Sequence, residues 1–87
     1  MQKRIIMQAY MQGAAITPSD TVGYPEAAGI YIGGTGNVVL LDAIGTVLTF
    51  NGVPAGTILP IKNARVNATS TTATGLIALY YDPAVSV

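Results

Sequence analysis

The chain predicts an all-β fold: a small antiparallel β-sandwich or barrel of about six strands with an extended N-terminal arm. Three observations predict it. Short runs of strand-like alternation recur from Gly29 to Tyr81, separated by clusters of Gly, Pro, Asn, Thr and Asp. No stretch there sustains the apolar period of about 3.6 residues that an amphipathic helix needs. Two runs, 37–43 and 75–81, are apolar on both faces, as strands covered from both sides are. With 87 residues the chain holds one domain, divided here into an N-terminal arm, 1–16, and a single β-domain, 17–87.

The elements follow in order. Residues 3–12, KRIIMQAYMQ, fit a strand with Ile5, Met7, Ala9 and Met11 on one face and Ile6, Gln8, Tyr10 and Gln12 on the other; a short helix fits almost as well. Residues 13–25, with Thr17-Pro18-Ser19-Asp20, Gly23 and Pro25, read as an irregular connector. The first regular strand spans 29–33. Gly33-Gly34-Thr35-Gly36-Asn37 is expected to be a tight turn, glycine serving positions of positive φ. Strands at 37–43 and 46–50 are joined by the bend Ala43-Ile44-Gly45. Asn51-Gly52 signals a hairpin or a bulge, and Val53-Pro54-Ala55-Gly56 suits a type I turn with proline second.

Pro60 cannot donate to a ladder, so the strand at 57–62 is placed at an edge or given a bulge. In the strand at 64–69, Val66 and Ala68 are expected inside, with Arg65, Asn67 and Thr69 outside. A polar turn at 70–74 precedes the closing strand at 75–81.

Charge is what sets this chain apart from a free-standing domain. From Thr46 to Tyr81 only Lys62 and Arg65 are charged, and charged residues make up 9% of the whole, against about 25% in ordinary soluble domains. In 37–43, Val38 and Leu40 oppose Val39 and Leu41; in 75–81, Leu76, Ala78 and Tyr80 oppose Ile77, Leu79 and Tyr81. The second face must be covered by the N-terminal segment or by another subunit, and the little N-terminal chain available favours a subunit. A domain this small needs a further stabilising device. Cysteine and histidine are both absent, so neither a disulfide nor a structural zinc supplies it, and oligomerisation is left. The candidate subunit interface is Ile5, Met7, Tyr10, Met11, Val39, Leu41, Ile77, Leu79 and Tyr81.

Several function classes are excluded. Net charge is zero and the four cations form no basic stripe, which argues against nucleic acid. No apolar run approaches the roughly 18 residues of a membrane helix. Lys3-Arg4 before Ile5–Met7 faintly resembles a secretory leader, but Gln8 and Gln12 break the apolar stretch. Without His or Cys, the nucleophile–base pairs of hydrolytic catalysis are missing. Asp20, Glu26, Asp42 and Asp82 fall in connectors and at strand ends, where acids usually serve turns. No catalytic, cofactor-binding or metal-binding residue is therefore expected.

Gly33–Gly36 lacks the following helix that a phosphate-binding loop requires. Asn67-Ala68-Thr69 matches a glycosylation acceptor pattern but stands without a secretory context. Lys62 and Arg65 could form an anion site, though pairing with a carboxylate or lying along an apolar face suits them better. Tyr10, Tyr24, Tyr31, Tyr80 and Tyr81 could stack on a sugar, but tyrosine is also a preferred interface residue.

The succession TPSDTVGYP (17–25), GIYIGGTGNV (29–38) and TFNGVPAGTILPIKNARVNATSTTATGLIALY (49–80) resembles the small spike-base family of tailed-phage and gene-transfer-agent heads. Its members carry the Thr-Pro-Ser-Asp opening, the Gly-Ile-Tyr-x-Gly-Gly-x-Gly segment, the Val-Pro-Ala-Gly-Thr-Ile-Leu-Pro-Ile block, and a Thr-rich turn before a short apolar strand ending in Tyr. The resemblance covers about residues 17–81; residues 1–16 and 82–87 lie outside the pattern.

It implies an all-β virion protein on the capsid surface, expected at vertices and made in the cytoplasm of a bacterial host. There it would form a homo-oligomer (pentamer or trimer), dock on the major capsid protein and carry a spike or fibre protein. It implies no catalytic residue, cofactor, nucleic-acid partner or membrane partner. The rival readings are a tail-tube, tail-tip or fibre-base subunit, and a carbohydrate-binding adhesion module.

Overall fold

Seven strands, paired antiparallel throughout, form two sheets in a computed structural model that describes the backbone of residues 10–81 and the side chains of 12–80. They are β1 (Tyr10–Ala15), β2 (Gly29–Tyr31), β3 (Gly36–Asp42), β4 (Val47–Val53), β5 (Ile58–Leu59), β6 (Asn63–Val66) and β7 (Ile77–Tyr81). One sheet, called A here, has the order β1-β7-β2-β5; the other, B, has the order β4-β3-β6. The all-β class read from the sequence is what the chain adopts. No helix among the described residues is long and apolar enough to cross a membrane. Ile5 and Met7 lie outside the described residues.

The two sheets are joined by one bent strand. β5 pairs with β2 through Ile30↔Leu59, and a few residues later the backbones of Ala27 and Asn63 bridge as β6 begins. Pro60 sits at the corner between β5 and β6, where the missing N–H costs no ladder bond. β5 is the terminal strand of sheet A, the edge position that Pro60 predicts. The full strand succession is thus β1-β7-β2-(β5, β6)-β3-β4, with β1 and β4 at its ends.

Alternation fills the space between the sheets. Ile30 and Ile32 from β2 and the segment after it, Val38 and Leu40 from β3, Val66 from β6, and Leu76 before β7 are all buried there. Leu48 and Phe50 of β4 pack against this core from its rim. Val39 projects from the opposite face of β3 and is nevertheless 6% exposed. Its amide donates to Thr71 Oγ1 (3.0 Å) and its carbonyl accepts from Asn67 N (2.8 Å), so the chain's own 67–71 loop covers it.

The connector predicted at 13–25 starts later than expected, because Gly13–Ala15 pair with β7 as part of β1; the chain after them is ordered by backbone bonds. Ser19 N donates to Val66 O (2.8 Å), Tyr24 N to Ala64 O (2.9 Å) and Ala27 N to Asn63 O (2.8 Å), so it lies along β6 and satisfies that strand's outer edge. At the β3–β4 hairpin, Asp42 Oδ1 accepts from Ile44 N (3.0 Å) and Thr46 N (2.9 Å), and Gly45 takes φ +87°. The bend predicted at 43–45 is this turn, wound around an aspartate side chain.

Three local expectations are corrected, and a fourth is narrowed to one of its two alternatives. Gly33–Asn37 is not a hairpin: β2 and β3 belong to different sheets, and none of its glycines has positive φ. Glycine is needed there for closeness, because Gly34 bridges Thr74 and a Cβ on Gly36 would lie 2.5 Å from Ala73 N. The Pro54 turn is shifted by one residue. Thr57 N bonds Pro54 O (3.3 Å) and Gly56 has φ +86°, the third-position geometry of a type II turn. β6 starts at Asn63 and ends at Val66, so Ala68 is exposed in a loop rather than inside. Asn51-Gly52 marks a bulge: β4 carries two residues opposite Asn37, and Gly52 N donates to Asn37 Oδ1 (2.9 Å).

Candidate functional site

The outer face of sheet A is the least polar surface the strands build. Register places Ala15, Ile77, Tyr31 and Ile58 in one row across all four strands, and Gly13, Leu79 and Gly29 in the next. No member of either row is charged. Ile58 is 45% exposed, and Ile77, Leu79 and Tyr31 are half-buried. An uncharged sheet face of this kind is suited to cover by protein.

The candidate interface residues do not fall on one surface. Ile77 and Leu79 share the outer face of sheet A. Tyr10, Met11 and Tyr81 have described backbone only; Tyr10 and Tyr81 are register partners at one end of β1 and β7. Leu41 lies on the outer face of sheet B between Val47 and Arg65, and Val39 on that face is covered from within the chain.

The sequence reading passed over the most exposed apolar side chains: Ile44 at 87%, Val22 at 68%, Val47 at 55% and Ile58. Ile44 stands at a hairpin tip and Val22 in the connector, where periodicity carries no signal. Val47 was legible as an outward position of an alternating strand.

The polar groups are spent on structure. Asn63, fully buried, donates from Nδ2 to Ile61 O (2.8 Å) and accepts at Oδ1 from the Tyr24 hydroxyl. Burial, and secondarily the nearby Tyr80, push the Tyr24 phenol well above its ordinary value. The Tyr80 hydroxyl donates to Pro25 O (3.0 Å). Two of the five tyrosines are thereby committed within the chain, which weakens a sugar-stacking role for them. Arg65 Nε donates to Asn67 Oδ1 (3.0 Å), so Asn67 serves the fold.

Asp20 Oδ2 accepts from the Thr69 hydroxyl (2.6 Å) and Oδ1 from Thr69 N (2.9 Å). These bonds, the hydroxyl's first, hold the Asp20 carboxyl below its ordinary value. The clamp joins the connector to the loop that covers Val39.

Among the described residues, two hollows on the surface bear on a binding role. One of about 320 Å³ is lined by Gln12, Ala14, Pro25 and Tyr80. The other, about 270 Å³, lies between the β3–β4 hairpin and the β5–β6 corner, lined by Asp42, Ala43, Ile44, Ile61 and Lys62. Neither combines a nucleophile with a base. Among the described residues no three His, Cys, Asp or Glu gather as metal ligands would. What the arrangement offers is adhesion through flat apolar surface and open strand edges.

A search of solved structures returns a chain from the capsid of a native GTA particle, computed with C5 symmetry. It is 35% identical, superposes with a TM-score of 0.74, and the match covers 82% of this chain and 83% of that one. No protein-family model matches the sequence, and no curated protein does.

Proposed function

The chain belongs to the family of that GTA capsid component, and from this premise we propose that it is a spike-base or decoration subunit that assembles on the capsid at its vertices. It is a structural, capsid-associated protein. In the proposed role it forms a homo-oligomer, seats on the major capsid protein and anchors a spike or fibre. The observation that carries this reading is the likeness along four-fifths of both chains to a component of a GTA capsid computed with C5 symmetry.

The surface chemistry supports it. Adhesion here comes from buried apolar area, at about 25 cal/mol per Å² before the costs of association are subtracted. The uncharged outer face of sheet A is the surface assigned to neighbouring protein in the particle. The ordered resemblance of residues 17–81 to spike-base sequences supports the vertex position over a tail position.

Cryo-electron microscopy of particles carrying a tagged copy of this chain tests the proposal. Density for the tag at the fivefold vertices is expected. Density along the tail, or particles of full occupancy without the chain, overturns the vertex assignment. Native mass spectrometry of the purified chain gives the copy number, with a pentamer expected at such a vertex.

A further inference from the structure

We propose that copies of this chain join head to tail by pairing the β1 edge of one with the β4 edge of the next, extending the sheet from subunit to subunit. The inference rests on the assembly reading above and names the surfaces that perform it.

The two sheets end in four strands, β1 and β5 in sheet A and β4 and β6 in sheet B. β5 is two residues long and is followed by Pro60, so its outer edge offers little to pair with. β6 is sealed by the connector through Ser19, Tyr24 and Ala27. β1 and β4 remain. Among the described residues each is paired on one side only, and neither contains a charged residue or a proline. Edges of that length and composition are normally blunted in a free-standing protein; here one on each sheet is left open.

The open backbone groups match in spacing. Ile16 N donates to Leu76 O, so alternation turns Gln12 and Ala14 toward β7 and leaves Gly13 and Ala15 facing outward. Asp42 N donates to Thr46 O, so Leu48 and Phe50 face β3 and Val47 and Thr49 face outward. Both regular stretches, 12–15 and 47–50, lie clear of the irregularities at Tyr10/Gln12 and at the Gly52 bulge. Antiparallel pairing of Gly13 with Thr49 and Ala15 with Val47 satisfies all four residues and sets Ala14 opposite Leu48.

A second copy is also the occupant that fits the shape. Gln12 and Ala14 point to the side of sheet A that carries the core, yet both are exposed, and the 320 Å³ hollow lies against them. β1 therefore overhangs the core. The neighbour's β4 brings the apolar Leu48 to this side beside Ala14. Because β1 and β4 are different surfaces of one chain, the contact is heterologous, and such contacts form a ring where the rotation between neighbours closes, an arrangement compatible with the related chain's capsid, which was computed with C5 symmetry.

The chain has no cysteine, which makes crosslinking decisive. In the proposed register Ala14 and Leu48 are a pair without mutual hydrogen bonds, about 4.5 Å apart at Cα and within disulfide reach. Oxidation of the assembled A14C/L48C double variant is expected to give a ladder of covalent oligomers on a denaturing gel. Mixing the two single variants should give linked dimers and nothing larger. An assembled double variant that yields only monomer, unlinked or internally linked, overturns the proposal.

Ala15→Pro provides a second reading, since it removes an outward N–H and no bond to β7. It is expected to dissociate the assembly while far-ultraviolet circular dichroism stays unchanged; an intact assembly overturns the edge pairing but leaves the vertex role standing. A wild-type chain that is monomeric at every concentration and absent from vertices overturns both.

Discussion

The hydroxyl of Tyr24 donates to Oδ1 of Asn63, tying the connector to the first residue of β6 where the chain passes from one sheet to the other. Asn63 is the one buried polar side chain among the described residues, and both ends of its amide are engaged, Oδ1 by Tyr24 and Nδ2 by Ile61 O. Tyr24→Phe leaves a buried oxygen without a donor, a loss of about 1–3 kcal/mol. Asn63→Ala leaves two groups unpaired and should cost more. Urea unfolding at pH 7 measures both, and the double variant should be less destabilised than the sum of the singles. Strict additivity would show that the two side chains are not coupled.

The same phenol predicts an alkaline limit. Its folded pKa is raised above the ordinary 10.0 by burial and by Tyr80, so the folded state favours the protonated form. That contribution is complete below pH 10 and declines as pH rises through the folded value. Wild type should lose stability above pH 10 more steeply than Tyr24→Phe. Parallel stability curves for the two proteins would contradict this.

Asp20 and Thr69 predict the opposite dependence. The folded pKa of Asp20 is depressed below 3.8 by the Thr69 hydroxyl and amide, so its contribution is present above that value and fades as pH falls through the folded one. Asp20→Asn should therefore be less stable than wild type at pH 7, with the gap closing in acid. Amide exchange at Val39 should also quicken in the variant, since the clamp holds the loop over it. A gap that is independent of pH would assign the effect to something other than this carboxylate.

Much of the fold was legible because alternation and turn chemistry act locally. Period alone put Val38 and Leu40 together on one face of their strand, and Pro60 confined its strand to an edge or a bulge. What escaped was set by tertiary approach. Gly33–Gly36 reads as a hairpin, yet it crosses between sheets under the 72–75 backbone. Asn63 looks like a loop residue until Tyr24, 39 positions earlier, arrives to satisfy it. Val39 and Leu79 look alike in sequence, but only the first is covered by its own chain, because the Thr-rich loop folds back over it. The apolar face was readable; which neighbour covers it was not, since that depends on strand order.

The glycines separate these two kinds of requirement. A Cβ at Gly36 would sit 2.5 Å from Ala73 N and 2.7 Å from Thr72 C, both backbone atoms that cannot step aside. Gly36→Ala should cost about 1–3 kcal/mol or more through overpacking. Gly45 meets nothing within 4 Å but has φ +87°, so Gly45→Ala should cost only about 1 kcal/mol through conformational strain. Thermal unfolding of the two variants ranks them, and the reverse order would show that the crossing between β2 and β3 is looser than described.

Leu79 tests the outer face of sheet A separately from the edges. It sits half-buried between Gly13 and Gly29 in the uncharged row, where the flanking glycines leave its side chain the main feature of the surface. If that face meets capsid protein, Leu79→Asp places an unpaired carboxylate in a dry contact, at a cost of about 3–5 kcal/mol, equivalent to more than a hundredfold in affinity. The chain should then leave particles on gradient sedimentation, while its spectrum of folded strands is retained. Ile58→Asp, in the neighbouring row and 45% exposed, should do the same with less risk to the fold. Wild-type occupancy of particles by both variants would mean that this face looks to solvent, and that the missing charge serves some other contact.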